Sequence, residues 1–200
     1  MRFLLTAAAT LTALVAALAS PAGARVEAPG PQCGGTLWKL MTLSDSGRTS
    51  VKWTAAGTTV PDIAKLTPPA KIGTTRSTAF QKQVWGLTNV IVDRYRMASN
   101  GEIVLVLFDI PSSTYMNAYI PSPQCLPSTT RGRAQILAAR STFMKWCPAV
   151  TNQWQPLGAT MQLQGVGFFN PVKTTIGALK NGAELRPLVN LTITQGCGHF

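Results

Sequence analysis

The order of the predicted strands and helix constrains the fold of this 200-residue chain more than any other feature. Three segments rich in β-branched and aromatic residues follow one another at residues 84–95, 102–110 and 114–120, and such a composition is typical of strands. Asn100 and Gly101, between the first two, form a typical hairpin turn. We therefore predict three consecutive antiparallel strands.

A helix and two further strands are predicted after these three. Residues 130–146 place Ile136 and Phe143 on one helical face, and residues 161–169 and 185–194 read as strands. This order of elements is that of the oligonucleotide/oligosaccharide-binding (OB) barrel, which has five strands and is partly open. We predict a mainly β fold with one helix, an OB-like five-stranded barrel, together with an N-terminal extension. A β-grasp or another α+β sheet is the alternative.

The residues before the barrel divide into two predicted segments. Residues 1–24 read as a cleaved signal peptide, because Arg2 precedes an apolar run at residues 3–18 and small residues follow at the cleavage position. Residues 25–82 are predicted to form an extension packed on the barrel, which spans residues 83–200. We expect an exported protein of the periplasm or the extracellular space, with no transmembrane anchor once the signal is removed.

The chain contains four cysteines, and in an exported protein these are expected to form disulfides. No two of them have the close spacing of a zinc site, so we expect no metal site. Three pairings are possible. We expect Cys125 to pair with Cys147, which flank the predicted helix, and Cys33 to pair with Cys197, at opposite ends of the mature domain.

The charge of the chain is strongly basic, with 18 lysines and arginines against 7 acidic residues. Such an excess favours an anionic polymer or saccharide as the partner, and nucleic acid is a further candidate. Alternatively, the charge only keeps an exported protein soluble, since the densest basic segment is Arg131-Gly132-Arg133.

A C-terminal motif is the most distinctive part of the sequence. It consists of Gly-Val-Gly-Phe-Phe at residues 165–169, Asn-Gly at residues 181–182 and Glu-Leu-x-Pro at residues 184–187. With Cys33 and the Ile-Pro-Ser-Pro segment at residues 120–123, it makes the chain resemble a family of small exported bacterial proteins with an OB-like barrel. The resemblance implies a fold and an exported location, and it implies no activity because the family has none established.

The chain also departs from that family at positions that could carry chemistry. Family members usually carry histidines where this chain has Val104, Lys173 and Arg186. They usually carry acids at four further positions, which here are Ala98, Asn100, Asn170 and Asn190. Amides and cations neither replace a metal-binding imidazole nor accept a proton at neutral pH. A site that relatives build from those groups is therefore not expected here.

Few residues could support catalysis in this chain. The single histidine, His199, is the penultimate residue, so we expect no histidine-based triad or metal site and no cofactor. Asp93, Glu102 and Asp109 lie on adjoining predicted strands and could approach one another. A divergent hydrolase resembling the staphylococcal nucleases is therefore the enzymatic alternative.

Binding is the better-supported use of the surface. Tyr115, Asn117 and Tyr119 share one face of the third predicted strand, and the second and third strands form the ligand platform of OB barrels. Alternatively, both tyrosines pack under the N-terminal extension. The predicted function is that of a non-catalytic binding protein for an anionic or saccharide ligand or a protein partner, and a structural role in the cell envelope is a further alternative. The candidate cations are Arg94, Arg96, Arg131, Arg133, Lys173 and Arg186.

Overall fold

The computed structural model describes residues 32–198. The predicted signal peptide and His199 lie outside this range. Within it, no helix is both long enough and apolar enough to cross a membrane.

Six strands of the described residues form one mixed sheet, in the spatial order β1-β2-β3-β4-β6-β5. Because β5 also pairs with β2, the last five strands close into a ring. Strands β4 and β6 run parallel within that ring, and β1 is added outside it, parallel to β2. The prediction of a mainly β fold is confirmed. The strands are β1 Lys52–Gly57, β2 Gln83–Met97, β3 Ile103–Asp109, β4 Thr114–Ile120, β5 Gln155–Phe169 and β6 Ala183–Gln195.

The core lies inside the ring and follows from the alternation of side chains along each strand. Leu105 of β3 and Met116 of β4 are fully buried members of the main apolar cluster, as are Leu163 and Leu185 of β5 and β6. The residues that alternate with these buried ones along β3 and β4 therefore face outward, since successive side chains of a strand point to opposite faces. Asn117 is one of these outward residues and is nevertheless buried.

Two glycines of the C-terminal motif allow other parts of the chain to approach the backbone of β5 closely. A Cβ at Gly167 would overlap the backbone carbonyl of Phe80, and one at Gly165 would lie 2.8 Å from the Leu188 side chain. The register of β5 against β6 also shifts at these two glycines, as expected of residues that allow bulges.

Three α-helices occur within residues 32–198, which is more than the single predicted helix. The predicted one is α3, Arg133–Trp146, whose Phe143 packs on Tyr95 at 5.4 Å between ring centroids. The others are short, α1 Trp38–Met41 and α2 Val60–Ala64. Thr59 is a typical N-cap residue and marks the start of α2, because its side chain accepts a hydrogen bond from the backbone N–H of Asp62.

The described part of the predicted extension, residues 32–82, packs against the ring through Val60 and Ile63 of α2, which belong to the main apolar cluster, and it contains a buried ion pair. Arg76 Nη2 lies 2.9 Å from Asp45 Oδ1, and the same guanidinium donates to the carbonyls of Leu40 and Gln81. The pair joins the segment around α1 to the segment before β2. Both side chains are almost fully buried, so the arginine depends on these acceptors.

The predicted disulfide pairing is wrong, because the structure joins Cys33 to Cys125 and Cys147 to Cys197. Fourteen residues of α3 carry Cys147 about 20 Å from the start of the helix, whereas a disulfide needs its two Cα atoms within about 7 Å. Cys147 follows the end of α3 and meets Cys197, which follows the end of β6. The backbone N–H of Gln32 donates to Ser99 O, which brings Cys33 to the β2–β3 turn beside Cys125.

We expect non-reducing digestion to release one peptide pair joined through Cys33 and Cys125 and another joined through Cys147 and Cys197. Replacing both cysteines of either pair with alanine should lower the free energy of unfolding by about 4 kcal/mol, because the bridges span 92 and 50 residues. Urea titration measures the loss. A peptide joining Cys125 to Cys147 would contradict this connectivity.

Gly132 precedes α3 with φ of +68°, and a Cβ there would overlap the indole ring of Trp53. We expect Gly132→Ala to lower the free energy of unfolding by about 2–4 kcal/mol, through backbone strain and overpacking together. Gly158→Ala is the matched control, because Gly158 has φ of +72° and no neighbour within 4 Å. The control should lose only about 1 kcal/mol. Equal losses in urea titration would show that the contact with Trp53 is not the cause.

Candidate functional site

The predicted ligand platform lies on the outer face of β4, and the chain itself covers most of it. Tyr115 is 41% exposed, whereas Asn117 and Tyr119 are only 1% and 5% exposed. Gly177 lies directly over this face, since a Cβ at Gly177 would be 2.6 Å from Val106 Cγ1 and 2.7 Å from Asn117 Oδ1. The β5–β6 loop, residues 170–182, therefore covers this face.

Asn181 fixes one end of the β5–β6 loop. Its side-chain Nδ2 lies 2.9, 3.2 and 3.0 Å from the carbonyl oxygens of Ile63, Ala64 and Leu66 at the end of α2. Its Oδ1 accepts a hydrogen bond from the backbone N–H of Ala183. One amide thus satisfies the last turn of α2 and holds the loop against it.

A buried charged cluster lies under the loop at the start of β6. Arg186 binds Glu102 through two hydrogen bonds, of which Nε to Oε1 measures 3.0 Å. Its Nη1 donates to Glu184 Oε1 at 3.3 Å, and its guanidinium lies 4.3 Å from the centre of the Tyr119 ring. The donors of Arg186 are committed to protein carboxylates, so this candidate cation does not face a free ligand surface.

Two amides complete the cluster. Asn100 Nδ2 donates to Glu102 Oε2, and Asn170 Nδ2 donates to Glu184 Oε2 at 3.3 Å. Asn100, Asn170 and Arg186 were three of the seven positions singled out in the sequence, and the structure brings these three together. In this cluster the side chains bind one another.

Burial raises the pKa of Glu184 to about 7. Arg186 and the hydrogen bond from Asn170 lower this pKa, and the nearby charge of Glu102 raises it further. Burial likewise raises the pKa of Tyr119. Glu184 therefore changes its protonation close to neutral pH, whereas an ordinary carboxyl does so near pH 4.5.

The remaining candidate cations are scattered over the molecule. Arg94 pairs with Asp93 at 2.7 Å, and the Arg96 guanidinium lies 4.9 Å from the centre of the Trp154 ring. The Arg131 guanidinium lies 4.8 Å from the centre of the Trp53 ring. Arg133 and Lys173 are exposed. The structure thus does not gather the predicted ligand-binding residues into one surface.

The three acids of the hydrolase alternative each have a separate local partner. Asp93 pairs with Arg94, Glu102 pairs with Arg186, and Asp109 accepts hydrogen bonds from the backbone and side chain of Ser112. Among residues 32–198 there is no group of three histidine, cysteine or acidic residues able to hold a metal ion. No contact of these acids favours the hydrolase alternative.

A cavity of about 520 Å³ lies where β1 meets the start of β2, and sequence reasoning missed it. Lys52 of β1 is paired with Gln83 of β2, which places Lys52, Lys82 and Trp85 around one opening. We refer to this as the basic cavity, lined by Ser50, Lys52, Ala79, Lys82, Gln83 and Trp85. No acidic residue lines it.

The side chains of the basic cavity differ in whether their polar groups are free to bind a ligand. Trp85 Nε1 donates to Phe80 O at 3.0 Å, and Gln83 Nε2 donates to Thr54 O at 2.6 Å. These two side chains are therefore held in place by the protein. Both lysine side chains are exposed and have no ion-pair partner within the described part of the chain. The cavity thus presents two free ammonium groups beside an indole in a fixed position.

The surrounding charge is not compensated by acids. Every acidic side chain in residues 32–198 already has a partner within the protein, and most of the basic side chains in that range have no acidic partner. The acids and their partners are Asp45 with Arg76, Asp62 with Lys65, Asp93 with Arg94, Asp109 with Ser112, and Glu102 and Glu184 with Arg186.

Comparison with known proteins brings no assignment: no protein-family model matches the chain, and no curated protein matches it. The basic cavity combines free cations with an aromatic face, and the predicted platform is closed by the β5–β6 loop.

We expect the stability of the protein to fall as the pH rises from 5 to 8. The pKa of Glu184 is about 7 in the folded chain and 4.5 otherwise, so between these values the folded state holds a proton that the unfolded state has lost. The stabilising contribution is full below pH 4.5 and is lost as the pH rises through 7. Between pH 5 and 8 the loss is about 2–3 kcal/mol.

Urea titration across this pH range measures the effect. Glu184→Gln should remove this part of the pH dependence, whereas Asp109→Asn, at a hairpin turn, should leave it unchanged. A slope that persists in Glu184→Gln would assign the pH dependence to another group.

Proposed function

We propose that the protein is an exported, disulfide-stabilised binding protein that holds an anionic polymer, without catalysis, in the basic cavity. The observation that supports this best is the pairing of β1 with β2, which gathers Lys52, Lys82 and Trp85 around one opening with no acid in its lining. An anionic polysaccharide is the expected ligand. Single-stranded nucleic acid offers the same chemistry of anionic groups and stackable rings.

The lysines and the tryptophan of the basic cavity favour an anionic ligand. Each sulfate or phosphate neutralised by a lysine releases counterions, which gives a binding energy that decreases with salt. Stacking of a base on an aromatic side chain contributes about 1–3 kcal/mol. Trp85 is already fixed by its bond to Phe80 O, so little side-chain entropy is lost when a ring stacks on it.

Two further features support the wider proposal. The ring of β2, β3, β4, β6 and β5, with a helix between its third and fourth strands in sequence, supports an OB-like barrel and kinship with the exported family that the C-terminal motif resembles. The two disulfides support a location outside the reducing cytosol. Under this proposal the β3–β4 face has become structural and the ligand site has moved to β1 and β2.

Binding to heparin, with single-stranded DNA as the second arm, tests the ligand site. We expect salt-dependent binding of at least one of the two polymers. Replacing Lys52 and Lys82 together with glutamine should weaken it roughly tenfold or more and reduce the salt slope by about 2. Replacing Lys173 and Lys180 with glutamine changes the net charge equally and is the matched control, which should lose much less.

Two results would contradict the proposal. The first is indifference to both polymers at low salt, which would favour the structural alternative. The second is an equal loss of affinity in the control variant, which would show that net charge and not the basic cavity determines binding. Fluorescence anisotropy with labelled polymers measures all three proteins at several salt concentrations.

A further inference from the structure

A second opening, of about 240 Å³, lies between α3 and the outer face of β5 and β6. Its polar lining consists entirely of uncharged side chains, and one tryptophan stands at its edge. We call it the amide groove, after Gln135, Thr142, Gln164 and Asn190, with Trp53 at its edge.

Helix and strand geometry explains why these groups face one another. Gln135 and Thr142 lie two turns apart on the same side of α3, and the small residue Ala138 between them leaves room. Gln164 and Asn190 are direct partners across β5 and β6. The groove therefore has one polar wall on the helix and another on the sheet.

The polar side chains of the groove have no hydrogen-bond partner within the part of the chain that the structure describes. By contrast, the amides of Gln81, Gln155 and Asn181 are all bonded to backbone groups of the protein. Three amides of the groove offer both donors and acceptors, and the hydroxyl of Thr142 offers one of each. This combination suits a ligand that carries hydroxyl groups and no charge.

Trp53 is held rigidly at the edge of the groove. Gly132 packs against its ring so closely that a Cβ would overlap it, and the guanidinium of Arg131 lies 4.8 Å from the ring centre. Arg131 is itself fixed by hydrogen bonds to the carbonyl oxygens of Arg48, Thr49 and Val51. A ring held in this way is pre-organised to stack on a ligand.

We propose that the amide groove is a binding site for a neutral saccharide, with room for about one sugar ring. Its volume lies below the roughly 300–1,000 Å³ of sites for drug-sized ligands, which fits a single ring. Trp53 stacks on the apolar face of the sugar, and the amides of Gln135, Gln164 and Asn190 bond its hydroxyls. No charged side chain lines the groove, so an ionic group would gain nothing by entering it.

This site is separate from the basic cavity. Lys52 and Trp53 are neighbours on β1, and successive side chains of a strand point to opposite faces. The basic cavity thus opens on one face of β1 and the amide groove on the other. Either of the two binding proposals can therefore be wrong without affecting the other.

Isothermal titration with three neutral oligosaccharides, cellopentaose, maltopentaose and chitopentaose, tests the proposal on the full mature chain. We expect at least one of them to bind, with an affinity that does not change over a roughly tenfold increase in salt concentration. The double variant Gln164→Ala/Asn190→Ala should weaken that binding roughly tenfold or more, since the hydrogen bonds of two amides to the sugar are lost.

The matched control is Gln162→Ala/Thr192→Ala, the neighbouring cross-strand pair outside the groove. It should bind as the unaltered protein does. Gln135→Ala tests the helical wall separately and should weaken binding as well. The proposal is overturned if none of the three oligosaccharides binds at millimolar concentration, if Gln164→Ala/Asn190→Ala binds normally, or if binding falls with salt.

Discussion

The closure of the ring depends on the buried pairing of Arg186 with Glu102. Strands β4 and β6 share only one backbone pair, Ala118 with Leu185, so hydrogen bonds between main chains secure this junction weakly. Arg186 bridges it from the outside, because it reaches Glu102 before β3 and lies on the ring of Tyr119 in β4. A buried ion pair contributes little net stability against apolar side chains, but the loss of one partner is costly. The charged cluster therefore specifies where the ring closes more than it adds to stability.

The same cluster explains why the outer face of β3 and β4 is unavailable to a ligand. Glu184 is bonded to Asn170 at the start of the β5–β6 loop, and Asn181 ties the end of that loop to α2. Between these anchors the loop lies over Asn117, whose side-chain amide is buried without a hydrogen-bond partner in the described residues. Leaving such a group unpaired costs about 1–3 kcal/mol, which the packing of the loop must offset. The basic cavity and the amide groove both lie beside β1, the strand outside the ring.

Local sequence patterns predicted the elements that depend on near neighbours. The bounds of β4 agree with the prediction, and β3 and α3 agree within a few residues, because alternation or helical spacing is read within one segment. The disulfide pairing failed because it depends on where the ends of α3 and β6 meet. The basic cavity was missed because Lys52 and Lys82 come together only through the parallel pairing of β1 with β2, which no local pattern signals. The loop cover was missed for the same reason: nothing near Gly177 in the sequence indicates contact with Val106.

The disulfide connectivity has a consequence for how the chain matures. The two bridges follow one another along the sequence without overlap, since the first closes at Cys125 and the second opens only at Cys147. Any chain emerges amino end first, so both sulfurs of the first bridge are available before either sulfur of the second. If Cys33 paired with Cys197 instead, that bridge could not form until nearly the whole polypeptide had emerged. The observed arrangement lets oxidation proceed in step with emergence, and a chain threaded across a membrane would then need no reshuffling of its cross-links.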